Sequence, residues 1–395
     1  MSARTIVVAG AGIGGLTTAL ALADKGFRVE VFDKAERLEE TGAGIQLSPN
    51  ATRILIGLGL RDRLKPHVVV PDAIVIKTAS GRPIERIRLD ARAEKRWGAP
   101  YWIIHRGDLQ AALAAAVADH HDVTLTLGAA VDEFAVHPNG VTVHAVRNLR
   151  SEEAHCAALV GADGLWSTLR RLVGETDTPI FARRSAWRAL VPATAVADEF
   201  RAPAVHLWLG HGAHLVHYPV KGGAMINIVA IAADAAPSAG WSTAAAPDEV
   251  LSRFPATAWA APARALLATP TPWLKWPLYA RRPLRARARG PVTLIGDAAH
   301  PMLPYLAQGA AMSIEDAAVL ANRMAETPQD PAAAMRRYEK SRRRRIAKVR
   351  AAVRRNDRVY HQGGAAAALR NAAMGLMGST LLRARFNWLY KWRPK

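Results

Sequence analysis

Cysteine is nearly absent from this chain of 395 residues: Cys156 stands alone. One thiol can form neither an intrachain disulfide nor a Cys-x-x-Cys pair, which excludes the dithiol chemistry of disulfide reductases and fits a reducing, cytoplasmic location. Long apolar runs are missing too. The first, Ile6 to Ala9, is too short for a signal-peptide core and passes directly into glycines, and Ala365 to Leu382 is broken by Arg370 and Asn371. Neither export nor a spanning helix is expected. No His-x-x-x-His pair with a carboxylate occurs, and His300 has no partner at ligand spacing, so no metal site is expected.

Acidic residues are scarce: 33 Asp and Glu against 53 Lys and Arg give a formal charge of +20. Much of the excess lies between Arg336 and Arg355, where Arg342 to Arg345 are consecutive. No aromatic stacking platform is interleaved with it, so nucleic acid is not an expected partner. The stretch reads as a solvated helix face that raises the potential felt by anionic ligands; the alternative is peripheral contact with an anionic membrane.

Half of the chain is apolar, enough to bury a large core in one big or two interlocked domains. Thr5 to Ala9 reads as a strand, Gly10-Ala11-Gly12-Ile13-Gly14-Gly15 as a glycine loop, Leu16 to Lys25 as a helix, and Arg28 to Phe32 as a second strand closed by Asp33 and Lys34. This order gives Gly-x-Gly-x-x-Gly its meaning. Gly10 permits the tight turn, Gly12 lets the backbone approach a pyrophosphate, and Gly15 lets helix and strand close up, while Asp33 accepts from a ribose. A dinucleotide is implied, with nicotinamide and flavin both open at this point.

Other segments bear on that choice. Gly42-Ala43-Gly44-Ile45-Gln46 is a second glycine cluster, placed for a chain running beside the flavin end of an extended FAD, with Gly44 and Gln46 as candidates. Arg106 opens an alanine-rich helix reaching about Ala118 and is a candidate for the pyrophosphate or ribityl edge. Strands are expected at 123–127, 131–136, 141–146 and 154–160, the last running into Gly161-Ala162-Asp163-Gly164-Leu165-Trp166-Ser167. Asp163 is a candidate for cofactor ribose or pyrophosphate and for ordering nearby arginines; capping the helix that follows is its plainer role. A strand over 292–295 ends at Gly296-Asp297, with Asp297 facing the ribityl hydroxyls. A helix then begins at Gln308-Gly309-Ala310 and continues through Glu315, Asp316 and Leu320. Amides at its start suit the pyrimidine end of a flavin.

Taken together, Gly10-x-Gly12-x-x-Gly15, Gly161-Ala162-Asp163-Gly164-x-x-Ser167-x-x-Arg170 and Gly296-Asp297-Ala298-Ala299-His300-Pro301 resemble the three signatures of the single-component FAD-dependent aromatic hydroxylases, the p-hydroxybenzoate hydroxylase family. Pro304 to Ala310 with Glu315-Asp316, and Asn387 to Tyr390, are similar to the branch of salicylate hydroxylases, 3-hydroxybenzoate 6-hydroxylases and 6-hydroxynicotinate 3-monooxygenases. The resemblance implies an α/β fold in which a Rossmann-like FAD-binding domain (1–70, 101–180, 282–355) interleaves with a mixed-sheet substrate domain (71–100, 181–281), followed by C-terminal helices (356–395). It implies FAD, with NADH or NADPH as co-substrate. The reduced flavin then takes O2 to a C4a-hydroperoxide that hydroxylates a small aromatic substrate in a monomer or homodimer.

Substrate-layer strands are expected at 186–195, 204–209, 214–220 and 225–231, with a loop and short helices over 232–272. Alternation puts His214 and Tyr218 on one strand face and His217 on the other. In the resembling branch a His and a Tyr at this spacing contact the substrate, which makes His214 and Tyr218 the candidate catalytic pair. Two departures bear on substrate: Gln46 stands where the hydroxynicotinate enzymes place a histidine, and Pro304-Tyr305 where others place Gln or His. Arg188 is a candidate carboxylate clamp, whereas Trp187, Trp208, Trp273 and Trp276 read mainly as core. A flavin enzyme of this fold acting on a non-aromatic substrate, and a basic membrane-associated FAD-binding protein, are the alternatives.

Overall fold

The computed structural model describes residues 5–38, 43–148, 150–238, 240, 242–270, 272–284 and 288–394; Gly42 of the second glycine cluster lies outside them. Short β-branched segments build a parallel five-stranded sheet in the order Val292–Leu294, Ala158–Gly161, Thr5–Ala9, Arg28–Asp33, Val123–Leu127. Val7 and Val8 are both completely buried, as a strand covered on two faces requires. Helix Ile13–Ala23 covers one face, starting in the glycine loop itself, three residues before the expected Leu16. A Cβ on Gly15 would lie 1.7 Å from the carbonyl oxygen of Gly10, so only glycine permits this contact.

The other face is covered by an antiparallel sheet of Ala129–His137, Gly140–Arg147 and Arg150–Cys156, through Val141, Val143 and Ala145. The strand expected over 154–160 is therefore two strands. Cys156 ends one in this sheet and Ala158 begins another in the parallel sheet, with the Ala157 N–H donating to Thr5 O at the crossing. A continuous apolar run does not reveal that its two halves pair with different neighbours.

The second layer is an eight-stranded mixed sheet. Ile180–Pro192, Ala204–Leu209, Ala213–Val220, Met225–Ala233 and Trp273–Ala280 pair antiparallel, and Ala73–Thr78 joins Ala204–Leu209 in parallel. Its back packs on helices Pro247–Arg253 and Ala261–Ala268 through Trp187, Phe254, Trp259 and Trp273. Between the layers, Gly44–Leu47 pairs with Trp102–His105. The architecture is the expected α/β arrangement, a Rossmann-like layer beside a mixed sheet with helices at the C-terminal side.

Helix Pro331–Tyr360 runs without a break through the boundary expected at 355/356, and Gly364–Arg385 follows it. The basic stretch on this helix differs from its reading as a solvated face. Arg343 and Arg344 are exposed, but Arg342 and Arg345, one turn apart, point inward and are 1% and 9% exposed. Their guanidinium groups meet two buried carboxylates on helix Gly309–Glu326: Arg342 donates to Glu315 and Asp316, each at 2.7 Å, and Arg345 donates to Glu315 at 2.7 Å. Burying two acids on one helix demands cations, and the basic run supplies them. Among the described residues, no helix is long and apolar enough to cross a membrane.

Candidate active site

Four cavities run from the first βαβ unit to the mixed sheet. The first, about 710 Å³, is lined by Gly12, Asp33, Lys34, Arg37, Arg106 and Gln110. Asp33 ends its strand here with its carboxylate fixed: Oδ2 accepts from the Ala11 N–H at 2.6 Å and Oδ1 from the Ala35 N–H at 2.8 Å. Gly10, at φ +113°, turns the loop so closely over Ala162 that a Cβ would meet its oxygen at 2.4 Å, whereas a Cβ on Gly12 would meet nothing within 4 Å. Open backbone at Gly12, a helix N-terminus and a fixed carboxylate together make a cradle of the kind a nucleotide diphosphate requires. Gly14 does other work. It packs against Ser313, where a Cβ would come within 3.1 Å, and it lines neither this cavity nor the next.

The second cavity, about 230 Å³, continues past Gly10, Ala162, Asp163 and Gly164. Asp163 spends its oxygens on its own loop: Oδ1 accepts from Ser167 Oγ at 2.6 Å and Oδ2 from the Leu169 N–H at 3.0 Å. Ser167 Oγ accepts from the Arg170 N–H at 2.8 Å, so Asp163 orders the start of helix Thr168–Leu172. Burial pushes its carboxyl above the ordinary value, and these donors oppose the push. Arg170, one of the arginines near Asp163, is wholly buried. It donates to Asp177 and to the carbonyls of Ala298, Ala299 and Arg282, tying this loop to the 296–300 segment.

That segment borders the third cavity, about 160 Å³, shared by Arg106, Arg188, Trp276, Asp297 and Pro301 to Pro304. Asp297 opens on the cavity while protein encloses it, and that enclosure raises its carboxyl against the opposing pull of His300 and Arg106. His300 is turned away from the cavity: its Nε2 meets Asp316 Oδ2, and the Gly296 N–H donates to the same oxygen at 3.0 Å. Burial works to raise the Asp316 carboxyl, but His300, Arg342 and that N–H outweigh it and hold the group below the usual carboxylate range.

The fourth cavity, about 220 Å³, lies between the mixed sheet and the start of helix Gly309–Glu326. Arg188, His214, Val216 and Tyr218 come from the sheet, Gly44 and Gln46 from the short strand, and Gly309 and Ala310 from the helix. His214 and Tyr218 thus share one face. His217 faces the other way, stacked on His206 at 4.5 Å and accepting from Trp208 Nε1. Burial drives the His214 imidazole well below its ordinary value, with His361 and Arg184 pushing the same way. Burial raises the Tyr218 phenol, against the pull of Arg188 and a hydrogen bond with Gln46. Gln46 Oε1 also accepts from Tyr101 at 2.8 Å. Trp187, Trp208 and Trp273 are core, but Trp276 lies under the Arg188 guanidinium at 5.2 Å.

Arg188 is half-buried, with its Nε enclosed and without a hydrogen-bond partner, and among the described residues no acidic side chain pairs with it. Desolvation lowers its pKa, the mark of a cation kept from water without a counterion. Gly12, Asp33 and Lys34 line both the first and second cavities, Arg106 the first and third, and Arg188 the third and fourth, so the four adjoin one another in series.

Sequence reasoning missed the residues that align this system. Asn227 Oδ1 accepts from the Gly44 N–H, and Asn50 Nδ2 donates to Gln308 Oε1 at 3.1 Å and Glu315 Oε1 at 2.7 Å. Such partners lie hundreds of positions apart and carry no local signature. His120, His121 and Asp122 bring ligand atoms within 4.8 Å of one another, but they line none of these cavities.

A βαβ nucleotide cradle adjoined by a series of cavities that ends against the mixed sheet defines a dinucleotide-binding protein with room for a small molecule. The chain matches the FAD binding domain family over residues 3–353 and belongs to it. It is 38% identical to 3-hydroxybenzoate 6-hydroxylase 1 of Aquipseudomonas alcaligenes over 98% of this chain and 97% of that one. It is also 38% identical to 3-amino-4-hydroxybenzoate 2-monooxygenase of Streptomyces cremeus over 90% of this chain and 87% of the relative. A solved salicylate hydroxylase substrate complex superposes with a TM-score of 0.82 at 26% identity, covering 99% of this chain and 96% of that one. The enzyme is an FAD-dependent monooxygenase of the aromatic-hydroxylase class.

Proposed function

We propose that this enzyme hydroxylates a small aromatic carboxylic acid bearing a ring hydroxyl, using NADH or NADPH as reductant and O2. Arg188 carries the reading. A half-buried guanidinium whose Nε is enclosed and which has no protein counterion is costly, and an anionic ligand in the adjoining cavity offsets that cost. The relatives acting on hydroxybenzoates and salicylate support the same ligand class.

FAD, when bound, supplies the redox and oxygen chemistry. Gly10, Gly12, Gly15, Asp33 and Lys34 would hold its nucleotide half, with Gly14 setting the helix contact beneath. Arg106, Asp163 and Asp297 would serve its middle, and Gly44, Gln46, Gly309 and Ala310 its ring end. His214, neutral by virtue of burial, takes the proton of the substrate hydroxyl, since a phenolate is the better nucleophile; Tyr218 orients that oxygen. Val216, Val229 and Ile231 keep water from the reacting carbon. We assign 1–70, 101–180 and 282–355 to the FAD layer, 71–100 and 181–281 to the substrate layer, and 356–395 to a helical segment covering it, in a cytoplasmic monomer or homodimer.

The test is a screen of 3-hydroxybenzoate, salicylate, 3-amino-4-hydroxybenzoate and hydroxypyridine carboxylates for stimulated NAD(P)H oxidation and oxygenated product. At least one acid turns over while its methyl ester does not, and Arg188→Met raises KM for the acid far more than it lowers kcat. Equal turnover of acid and ester would refute the assignment.

A further inference from the structure

Helix Gly364–Arg385 turns an apolar face outward. Met374 and Met377 point the other way and pack with Ile76, Ile87 and Leu207 of the mixed sheet, while Ser379 Oγ accepts from the Arg88 N–H at 3.2 Å. The exposed positions between 365 and 376 are alanines, one glycine and two leucines. At 3.6 residues per turn they fill about half of the helix circumference. Leu369 and Leu376, two turns apart, stand at its centre and are 74% and 88% exposed; Leu381, past the kink at Gly378, is 61% exposed. Arg370 is the one Lys, Arg, Asp or Glu between Arg358 and Arg383, and it is folded inward. It donates to the carbonyls of Val359 and Tyr360 and to Asn371 Oδ1, and is 8% exposed. A helix lying on a core shows the reverse pattern, polar outward and apolar inward; leucines on a charge-free outer face mark a contact surface.

Charge and area say what covers it. From Arg358 to Lys395 the chain contains no Asp or Glu. The acid nearest in sequence, Asp357, is already paired with Arg184 and His361. Arg355 and Arg385 are both exposed at one end of the face. Desolvation and the charge of Arg385 together lower the Arg355 guanidinium, so these two cations crowd one another and an anion between them would relieve both. A second copy of the chain would bring like charges together, at a formal charge of +20 on each. The straight part of the face is also small, about 21 Å long and about 10 Å across. That is well short of the roughly 800 Å² that each partner of a stable dimer buries. A lipid surface requires neither a matching shape nor such an area: apolar side chains enter the headgroup layer, and arginines beside them meet phosphates.

We propose that helix Gly364–Arg385 docks the enzyme on an anionic lipid bilayer, Leu369 and Leu376 entering the headgroup layer while Arg355 and Arg385 meet lipid phosphates. The helix lies along the surface and does not cross it, because it is not apolar enough to span. Docking of this kind is independent of which acid the pocket takes.

The experiment sediments the holoenzyme with vesicles of phosphatidylglycerol and phosphatidylcholine in equal parts, and with vesicles of phosphatidylcholine alone. Wild type binds the anionic vesicles at least about tenfold more tightly, and added salt weakens that binding. Leu369→Asp with Leu376→Asp, both at exposed positions, lowers the affinity about tenfold or more. Flavin content, melting temperature and turnover in solution stay those of wild type. Arg385→Glu weakens binding to the anionic vesicles alone, and decides the matter if the double variant fails to fold. Equal binding to the two kinds of vesicle, no binding to either, or wild-type affinity in the folded double variant overturns the proposal. Sedimentation equilibrium without lipid supplies a further arm: a wild-type dimer that the double variant converts to monomer shows that a second copy occupies the face, and overturns it too.

Discussion

The main-chain N–H of Gly44 donates to Asn227 Oδ1 at 2.7 Å, across 183 positions of sequence. This bond fastens the short strand between the layers to the mixed sheet, and it does so at van der Waals limits. A Cβ on Gly44 would stand 2.6 Å from Tyr218 Cε2 and 2.8 Å from Asn227 Cγ. Gly44→Ala therefore displaces Tyr218, and activity falls by on the order of 100-fold with FAD retained. Product formed per NAD(P)H consumed is the measurement; unchanged coupling would show that Tyr218 need not be held there.

Asp297 is the carboxylate that opens on the cavity beside Arg106. Asp297→Ala weakens FAD retention about tenfold to 100-fold, the loss expected for charge-assisted hydrogen bonds. Purification yields largely colourless protein with unchanged far-ultraviolet circular dichroism. Full flavin content in the variant would count against a cofactor role.

His214→Phe keeps the flavin, because the side chain belongs to the sheet side of the pocket. Without the base, hydroxylation slows by on the order of 100-fold and peroxide is released in place of product. Peroxide assay against product yield reads this directly, and wild-type coupling would remove His214 from the chemistry.

Arg342→Ala strips a buried cation from Glu315 and Asp316, both completely buried. Removing one partner of such a set costs about 3–5 kcal/mol. Thermal unfolding of the apoprotein and holoenzyme reports the loss, and a stability equal to Arg343→Ala, at an exposed position, would contradict the ion cluster.

Acid acts on the same cluster. The folded Asp316 carboxyl lies below its unfolded value, so its contribution is complete above the ordinary carboxylate pKa of about 4 and is lost as pH falls below it. The melting temperature of wild type drops on acidification through that window, and Asp316→Asn, already destabilised at neutral pH, shows a shallower drop. Parallel curves for the two proteins would exclude Asp316 as a source of the acid sensitivity.

What the sequence made legible was local. Gly10, Gly15 and Asp33 announce their roles because strand, turn, helix and strand follow within thirty residues, and each glycine meets a contact that its missing side chain permits. That His214 and Tyr218 share a strand face was legible by alternation, which needs the strand and not its neighbours, while their proposed role came from the resemblance. Legibility ended where partners are distant. Asn227 acquires meaning only once the mixed sheet lies against the short strand that carries Gly44. The arginine run misled for a related reason: composition counts charges, but one helical turn decides which of them meet solvent, so Arg342 and Arg345 neutralise buried acids while Arg343 and Arg344 do not.

Arg345 also donates to the carbonyls of Trp388 and Leu389, at 2.8 and 2.9 Å, and Arg53 donates to that of Trp392. The hub beneath the cofactor cavity is thus roofed by residues made some 330 positions after the helix that carries Arg53. On the ribosome the glycine loop and its strands emerge early, yet Arg345 lacks its carbonyl partners until 388–389 are clear of the exit tunnel. Final locking of this ion cluster is therefore an event of late synthesis.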